Sequence, residues 1–286
     1  PLAMDVQPRA SEYGARRHHA CHEVGDGRLA PLLATARSGG ITEPFVEVVA
    51  NQQLDWAERL WRYFKTERFV SLMDTGTLYF ASARQFEDRF EGAVAVLPPG
   101  FPVDPRYSAP QFYERAFEEL RRLTKVSCWH RAEYESDAMW QLYAGSRKGV
   151  AVRTTPDRIR AAAQPFRLKP EYGQEDLLAG HVNYADLLKE RLNVSMAERF
   201  WYKNLAFSWE REFRLAVSMR MAEEFGVAVP EFGIHVEFDL DVLVDKIYLG
   251  PSLIDEEIAV IRASADQRGL GDRVRISSLR GQPRYT

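Results

Sequence analysis

The sequence lacks the features that mark several common protein classes. It has only two cysteines, Cys21 and Cys128, which are too few for a disulfide framework and suit a reducing compartment. No apolar run approaches the roughly 18 residues that a membrane span needs, and the chain does not start with a charged and then apolar leader. These absences favour a soluble, bacterial-type cytoplasmic protein without membrane contact.

An excess of charge of one sign is also missing. The formal net charge is −3, so the field of the whole chain attracts neither nucleic acid nor an anionic membrane, although a local basic groove stays compatible with it. The chain contains no Gly-rich phosphate loop, no His-Glu-x-x-His zinc helix, no Gly-x-Ser-x-Gly elbow and no kinase motif set. The function must therefore be inferred from a less familiar combination of residues.

Two parts of the chain differ in composition. Residues 1–44 have few periodic apolar positions and are rich in Arg, Gly, Ala and His, so we expect an N-terminal arm or extension. Residues 16–22 hold three His and Cys21, but no second pair at ligand spacing follows nearby, and we expect no metal there. Residues 45–286 lack internal repeats and are predicted to form a single domain.

Helix and strand patterns interleave in residues 45–286, which predicts an α+β fold with mixed small sheets. The predicted helices cover residues 66–74, 111–124, 136–144, 186–207 and 252–268, and a further helix is predicted to start at residues 155–157. The predicted strands cover residues 77–81, 125–129, 149–152, 182–184, 244–250 and 274–276. The last helix and the strands on either side of it predict a C-terminal β-α-β unit.

The most unusual stretch runs from Phe207 to Val217. It joins a polar and aromatic segment to an apolar run with strand character, and strand alternation puts Glu210, Glu212 and Arg214 on one face. Two acids so placed repel each other, and the free-energy cost is offset only if a cation or a ligand binds to them. Two explanations stay open: a functional site, or a solvated strand face on which Arg214 bridges the two acids.

A second group of candidates lies on the predicted helix 136–144. Trp140 and Tyr143 are three residues apart, so they cover one patch of its surface. Core packing is the simpler explanation for Met139 and Trp140. Tyr143 and Glu212 are better candidates for a pocket, because each has a polar tip that needs a partner when it is buried.

Four segments of the chain form a combination that is found in a known family: residues 79–91, residues 128–150, Lys203 with residues 209–214, and residues 247–250. In this order, and from about Trp61 to the C-terminus, they resemble the bacterial family called domain of unknown function 2971. The chain departs from the family signature at Glu87, where Asn is usual, and at Arg89, where Pro is usual.

The order of residues is also similar to that of ADP-ribosyltransferases, which bind NAD between two small, split sheets. This resemblance implies that Arg62, with Tyr63, holds the pyrophosphate or ribose of NAD. It implies that Tyr143, on the same patch as Trp140, stacks on the nicotinamide. NAD would be the substrate, and no metal is expected.

The same resemblance implies roles for the two acids. Glu212 would bond a hydroxyl of the nicotinamide ribose and stabilise the developing oxocarbenium ion. Glu210 would orient or deprotonate the acceptor. We expect Glu212→Gln to abolish activity while leaving folding nearly intact.

The first functional hypothesis is therefore an NAD-dependent ADP-ribosyltransferase-like enzyme, in the context of a toxin or a phage-defence effector. It requires Arg62, Tyr143 and Glu212 to converge on one cleft. The acceptor, a protein or a nucleic acid, is not identified by the sequence.

A nucleic-acid- or protein-binding module of a defence system, without catalysis, is the alternative. Its support is a mixture of basic and aromatic side chains that could stack bases and grip phosphate: Arg199, Trp201, Tyr202, Lys203 and Arg211. A nuclease is a further alternative, but no acid cluster or His pair stands out to bind its metal.

Overall fold

A mixed β-sheet organises the structure, which is a computed structural model that describes residues 46–88, 90–94 and 110–281. Ten strands of this part form the sheet, and two more form a separate parallel pair. Helices lie between the strands along the chain, which confirms the α+β class and the mixed sheet. The predicted arm and its His and Cys cluster lie outside the described residues.

The strands are, in chain order, β1 (Val46–Val48), β2 (Leu60–Phe64), β3 (Thr77–Ser82), β4 (Thr124–Arg131), β5 (Val150–Thr154), β6 (Leu177–His181), β7 (Asn183–Ala185), β8 (Tyr202–Asn204), β9 (Glu212–Ser218), β10 (Gly233–Glu237), β11 (Lys246–Leu249) and β12 (Val274–Ile276). The α-helices are α1 (Thr66–Thr75), α2 (Pro110–Leu123), α3 (Asp137–Tyr143), α4 (Pro156–Ala162), α5 (Arg220–Glu224), α6 (Leu240–Leu243) and α7 (Asp255–Gln267).

The sheet divides at β4. Its main path has the order β1-β6-β9-β4-β2-β5-β11-β12. Along one edge β4 pairs with β9 over residues 124–130. Along the other edge it pairs with β3 at one end and with β2 at the other. The prediction of several small sheets is therefore wrong for this part of the chain, because the shared strand β4 joins the strands into one large sheet.

Local sequence signals explain most of the element boundaries. Gly76 ends α1 in the left-handed conformation, with φ of 69°, which a glycine adopts without steric cost. Ser136 caps α3 by accepting a hydrogen bond from the amide of Met139, and Thr155 caps α4 in the same way. The predicted C-terminal β-α-β unit is confirmed, since β11 and β12 flank α7 and pair in parallel.

The long helix predicted over residues 186–207 is wrong. The structure has instead the strand β8 between two 3₁₀ helices, Glu198–Trp201 and Leu205–Glu210. Ser195 Oγ accepts from the amide of Glu198, and Asn204 Oδ1 accepts from the amide of Ala206. Such residues bond to nearby backbone and compete with a continuous helix. The strands β6 and β10 were also missed by the sequence prediction.

The two faces of the sheet have different contents. The first face carries the largest apolar cluster, in which Phe69 of α1, Ile159 of α4 and Ile261 of α7 pack with Trp129 and Phe213 of the sheet. The second face carries two smaller apolar clusters, one of them built around α3. The predicted acids lie on this second face.

Candidate functional site

The predicted acid pair lies where β9 begins. Glu210 is the last residue of the 3₁₀ helix Leu205–Glu210, and Glu212 is the first residue of β9. Arg211 between them adopts a left-handed conformation with φ of 43°, an uncommon one for a residue with a side chain. Both acids have 0% exposed surface. The solvated strand face that the sequence left open is therefore wrong.

Two buried cations hold the acid pair. Lys203 Nζ donates to Glu212 Oε1 at 2.9 Å and also to Glu210 Oε2. Arg214 Nε donates to Glu212 Oε2 at 2.5 Å. Lys203 and Arg214 are each 1% exposed. Because isolated buried charges cost several kcal/mol, their pairing stabilises both the carboxylates and the cations.

The network continues beyond the pair through Arg214. This guanidinium donates to both carboxylate oxygens of Glu91, at 2.5 and 3.0 Å. It also donates to the carbonyl of Phe200 at 2.6 Å. Glu91 has no exposed surface. Arg214 thus connects Glu212 with a third buried acid.

Polar side chains from three other elements contact the acid pair. The hydroxyl of Tyr143, in α3, donates to Glu210 Oε1 at 3.3 Å. His130 Nδ1 of β4 donates to the carbonyl of Glu210 at 2.6 Å. Tyr184 of β7 accepts a hydrogen bond from the amide of Glu212 at 2.8 Å. The structure therefore brings Tyr143, Glu210 and Glu212 together, as the sequence predicted.

The environment separates the pKa values of the two acids. Burial, together with the hydrogen bond and the charge of Glu212, raises the pKa of Glu210 from 4.5 to about 7. Burial also acts to raise the pKa of Glu212, but the charges of Arg214 and Lys203 outweigh it and hold that pKa well below its ordinary value. Such divergence in neighbouring acids is typical of acid–base sites, and ion-pair networks also produce it.

Arg62 does not join this cluster. On β2 it points to the first face of the sheet, near Trp129, whereas Glu212 lies on the second face beside His130. Its guanidinium donates to Ser127 Oγ at 2.5 Å and to the carbonyl of Tyr79 at 3.0 Å. It thereby bridges β4 and β3 where the sheet divides. The predicted convergence of Arg62 with Tyr143 and Glu212 is thus not found.

Tyr63 and Trp140 lie on the second face but belong to its apolar packing. Their rings contact edge to face, with centroids 5.0 Å apart. Tyr63 accepts a hydrogen bond from the amide of Ser136, and Trp140 Nε1 donates to Glu135. Both side chains are buried. They support α3 and thereby the position of Tyr143.

The mixture of basic and aromatic residues that suggested nucleic-acid binding does not form one exposed groove. Trp201 and Lys203 are buried, and only Arg211 of the five is exposed. The guanidinium of Arg199 lies over the ring of Phe117, 5.4 Å from its centroid. Of the five, Trp201 belongs to an apolar cluster of the second face and Lys203 to the acid pair.

Several members of the cluster could not be assigned from the sequence. Lys203 and Glu91 occur in the segments that carry the family resemblance, but nothing in their spacing predicted an ion pair with the acids. Tyr184 also gave no signal, and the spacing of Cys128 and His130 indicated only a buried histidine with a satisfied ring, because the partners of both Tyr184 and His130 depend on how β7 and β4 lie in the fold. In the part of the chain that the structure describes, no group of His, Cys, Asp and Glu has the arrangement of a metal site.

The comparisons with known proteins give no match. No protein-family model, no curated protein and no solved structure matches the chain. The resemblance to the domain of unknown function 2971 stays a prediction. Among the described helices, none has the length and apolar character needed to cross a membrane.

Proposed function

We propose that the chain is an enzyme that uses Glu210 and Glu212 as an acid–base pair and, more specifically, an NAD-dependent ADP-ribosyltransferase-like enzyme. One observation carries this proposal: the carboxylate of Glu210 meets the Tyr143 hydroxyl and the Lys203 ammonium beside a second acid. The convergence of Arg62 with Tyr143 and Glu212 that the sequence-based hypothesis required is not met, so this proposal rests on Tyr143, Lys203 and the two acids alone.

The chemistry of the pair suits transfer from a glycosidic bond. Glu212, held ionised by two cations, would stabilise positive charge that develops on the ribose when nicotinamide leaves. Glu210, with its pKa raised to about 7 by burial and by Glu212, would exchange a proton with the acceptor near neutral pH. Tyr143 would contact the nicotinamide from α3.

The substrate needs a way to the acids, which have no exposed surface in this conformation. The ring of Phe207 covers Lys203, with its centroid 4.6 Å from Nζ, and Phe207 is itself partly exposed. The neighbouring Ser208 and Trp209 are exposed. Displacement of Phe207, Ser208 and Trp209, with Glu210 held in place by Lys203 and Tyr143, is therefore the route that we propose for NAD.

The experiment is NAD binding by isothermal titration and nicotinamide release in the presence of cell lysate. The wild type should bind NAD and release nicotinamide, and Glu212→Gln should lower release at least 100-fold, since it removes charge stabilisation of the transition state. Glu58→Gln, an acid at the same end of the sheet but on its other face, is the matched control and should keep full activity.

The stability of the variant needs separate attention, because Glu212 is buried. We expect Glu212→Gln to cost about 2–3 kcal/mol by weakening hydrogen bonds to charged partners, so the earlier expectation of nearly intact folding is revised. Circular dichroism at the assay temperature checks that the variant is folded. No binding at millimolar NAD and no nicotinamide release by the wild type would reject the transferase.

A non-catalytic protein-binding module is the second candidate. The observation that favours it is the complete burial of Glu91, Glu210 and Glu212 with their cations. Buried ion pairs of this kind can favour one packing of the fold over others without taking part in catalysis. In that case NAD would neither bind nor protect the wild type against thermal unfolding.

A further inference from the structure

The two-stranded pair β7–β8 carries two of the side chains that hold the acids. Tyr184 and Lys203 lie opposite each other in its parallel register. Tyr184 accepts a hydrogen bond from the amide of Glu212, and Lys203 donates to the carboxylates of both Glu210 and Glu212. Since the pair lies outside the large sheet, these contacts connect it to the start of β9.

Lys203 is suited to join two acids that would otherwise repel each other. A single ammonium group has three donors and no acceptor, and here one nitrogen contacts an oxygen of each carboxylate. Burial disfavours its charge, but the charges of Glu212 and Glu210 keep its pKa above the ordinary value. Lys203 is therefore a fixed positive charge inside the site.

We propose that the β7–β8 pair is the positioning element of the acid pair: Lys203 holds the two carboxylates together and controls the protonation of Glu210, while Tyr184 fixes the backbone of Glu212. The contacts that carry this role do not depend on any reaction. A part for the β7–β8 pair in catalysis rests on the proposed function. Lys203 and Tyr184 act through the acids and are positioning residues.

The other ionisable groups around Glu210 set the background against which Lys203 acts. Those that the structure places in or beside the cluster are Glu91, Cys128, His130, Tyr143, Tyr184, Glu212 and Arg214. Burial raises the pKa values of Cys128 and Tyr184 and lowers that of His130, so all three are neutral near pH 7. Lys203 is thus a cation that contacts both acids of the pair directly.

The first test uses the free protein and no substrate. Carboxyl carbon NMR follows the titration of Glu210 in the wild type, Lys203→Met and Lys203→Arg. Loss of the ammonium should raise the titration midpoint of Glu210 by about one pH unit or more, because a nearby opposite charge favours the ionised form. Lys203→Arg, which keeps the charge, should stay closer to the wild type. An unchanged midpoint in Lys203→Met would overturn the proposal.

A double variant covers the case in which Lys203→Met does not fold. Measured at a pH above the raised midpoint of Glu210, where this carboxyl is ionised, Lys203→Met with Glu210→Gln removes one charge of each sign, so the double variant should be more stable than Lys203→Met alone. Equal destabilisation by Lys203→Met in the wild type and in the Glu210→Gln background would contradict the proposed coupling. Tyr184→Phe should shift the amide resonance of Glu212 and leave the midpoint of Glu210 nearly unchanged.

The second test separates this inference from the proposed function. If the wild type releases nicotinamide, Lys203→Arg should retain more activity than Lys203→Met, and the pH–rate profile should follow the NMR midpoint of Glu210. A shifted midpoint in a protein that never uses NAD supports the positioning role and rejects the transferase. An active wild type whose pH–rate profile is unaffected in Lys203→Met rejects the positioning role alone.

Discussion

Two groups of ion pairs lie at the same end of the sheet, on opposite faces. The buried group surrounds Glu212 at the start of β9. The half-exposed group lies beside the next residue of that strand, Phe213, whose ring centroid is 5.8 Å from that of His181. There Glu58 contacts His181 Nε2 and accepts from Arg131 Nε at 2.8 Å.

Exposure is the main difference between the two groups. The side chain of Arg131 is 30% exposed and that of Arg214 is 1% exposed. Water can solvate a half-exposed ion when its partner is lost, whereas a buried ion keeps the full penalty. Similar residue types therefore give a weaker, partly solvated interaction on one face and a strong constraint on the other.

The largest effect is expected for Arg214→Met. The change leaves Glu91 and Glu212 buried without the guanidinium that contacts both, so the free energy of unfolding should fall by about 3–5 kcal/mol. Urea unfolding at pH 7 measures it. Arg131→Met is the matched control in the half-exposed group and should cost about 1 kcal/mol or less. Equal costs would show that burial does not distinguish the two groups.

The next effect is a dependence of stability on pH that comes from Glu210. Burial and Glu212 raise its pKa from 4.5 to about 7 in the folded state. The folded protein then holds a proton that the unfolded chain has lost. The stabilisation from this group is full below pH 4.5 and disappears as the pH rises through about 7.

The variant Glu210→Gln tests this dependence. It should remove a decline in the free energy of unfolding of about 3 kcal/mol between pH 4.5 and pH 7. Urea unfolding at several pH values across this window measures the decline in both proteins. Identical slopes for the wild type and Glu210→Gln would contradict the raised pKa.

Glu58 should give a smaller pH dependence of the free energy of unfolding, with the opposite sign to that of Glu210. Partial burial acts to raise its pKa, but the contacts with His181 and Arg131 outweigh it and lower the pKa below 4.5. Its stabilisation is therefore present above pH 4.5 and is lost as the pH falls further. Glu58→Gln should lower the free energy of unfolding by about 1 kcal/mol at pH 7. In a plot of the free energy of unfolding against pH, it should reduce the slope only below pH 4.5. A change between pH 5 and pH 7 would contradict this assignment.

The two groups also differ in how far the sequence could predict them. Alternation correctly placed Glu212 and Arg214 on one face, because β9 has a period of two. It could not tell that the face is buried, since the acids, Arg214 and Lys203 look like solvated residues until their partners are known. Glu58 and His181 are 123 residues apart, and their contact has no local signal at all.

The fold shows the same division between local and distant information. The ends of α1, α3 and α4 follow from Gly76, Ser136 and Thr155, whose effects are confined to one helical turn. The joining of strands into one sheet through β4 depends on pairings between distant residues, and periodicity does not report them. Arg62 illustrates the consequence: the resemblance to ADP-ribosyltransferases suggested a ligand contact for it, but its partners, Ser127 and the carbonyl of Tyr79, come from the two strands between which the sheet divides.

The smallest effect concerns the turn between the two acids. Arg211 has φ of 43° and ψ of 56°, a conformation that costs a residue with a side chain about 1–2 kcal/mol. Arg211→Gly removes this cost but adds about 0.5–1 kcal/mol of lost chain entropy, so we expect a gain in stability between zero and about 1.5 kcal/mol. Arg211→Val should instead be destabilising, because β-branched residues tolerate this conformation poorly.

Urea unfolding should rank the three proteins as Gly, Arg and then Val, in decreasing stability. This ranking bears on both ion-pair groups, because Arg211 lies between the two acids and its carbonyl accepts a hydrogen bond from the amide of Arg131 at 2.9 Å. The side chain of Arg211 is itself exposed. The turn thus connects the half-exposed group to the acid pair through backbone alone. If Arg211→Val were as stable as the wild type, the acids would be held by their buried cations without help from this turn.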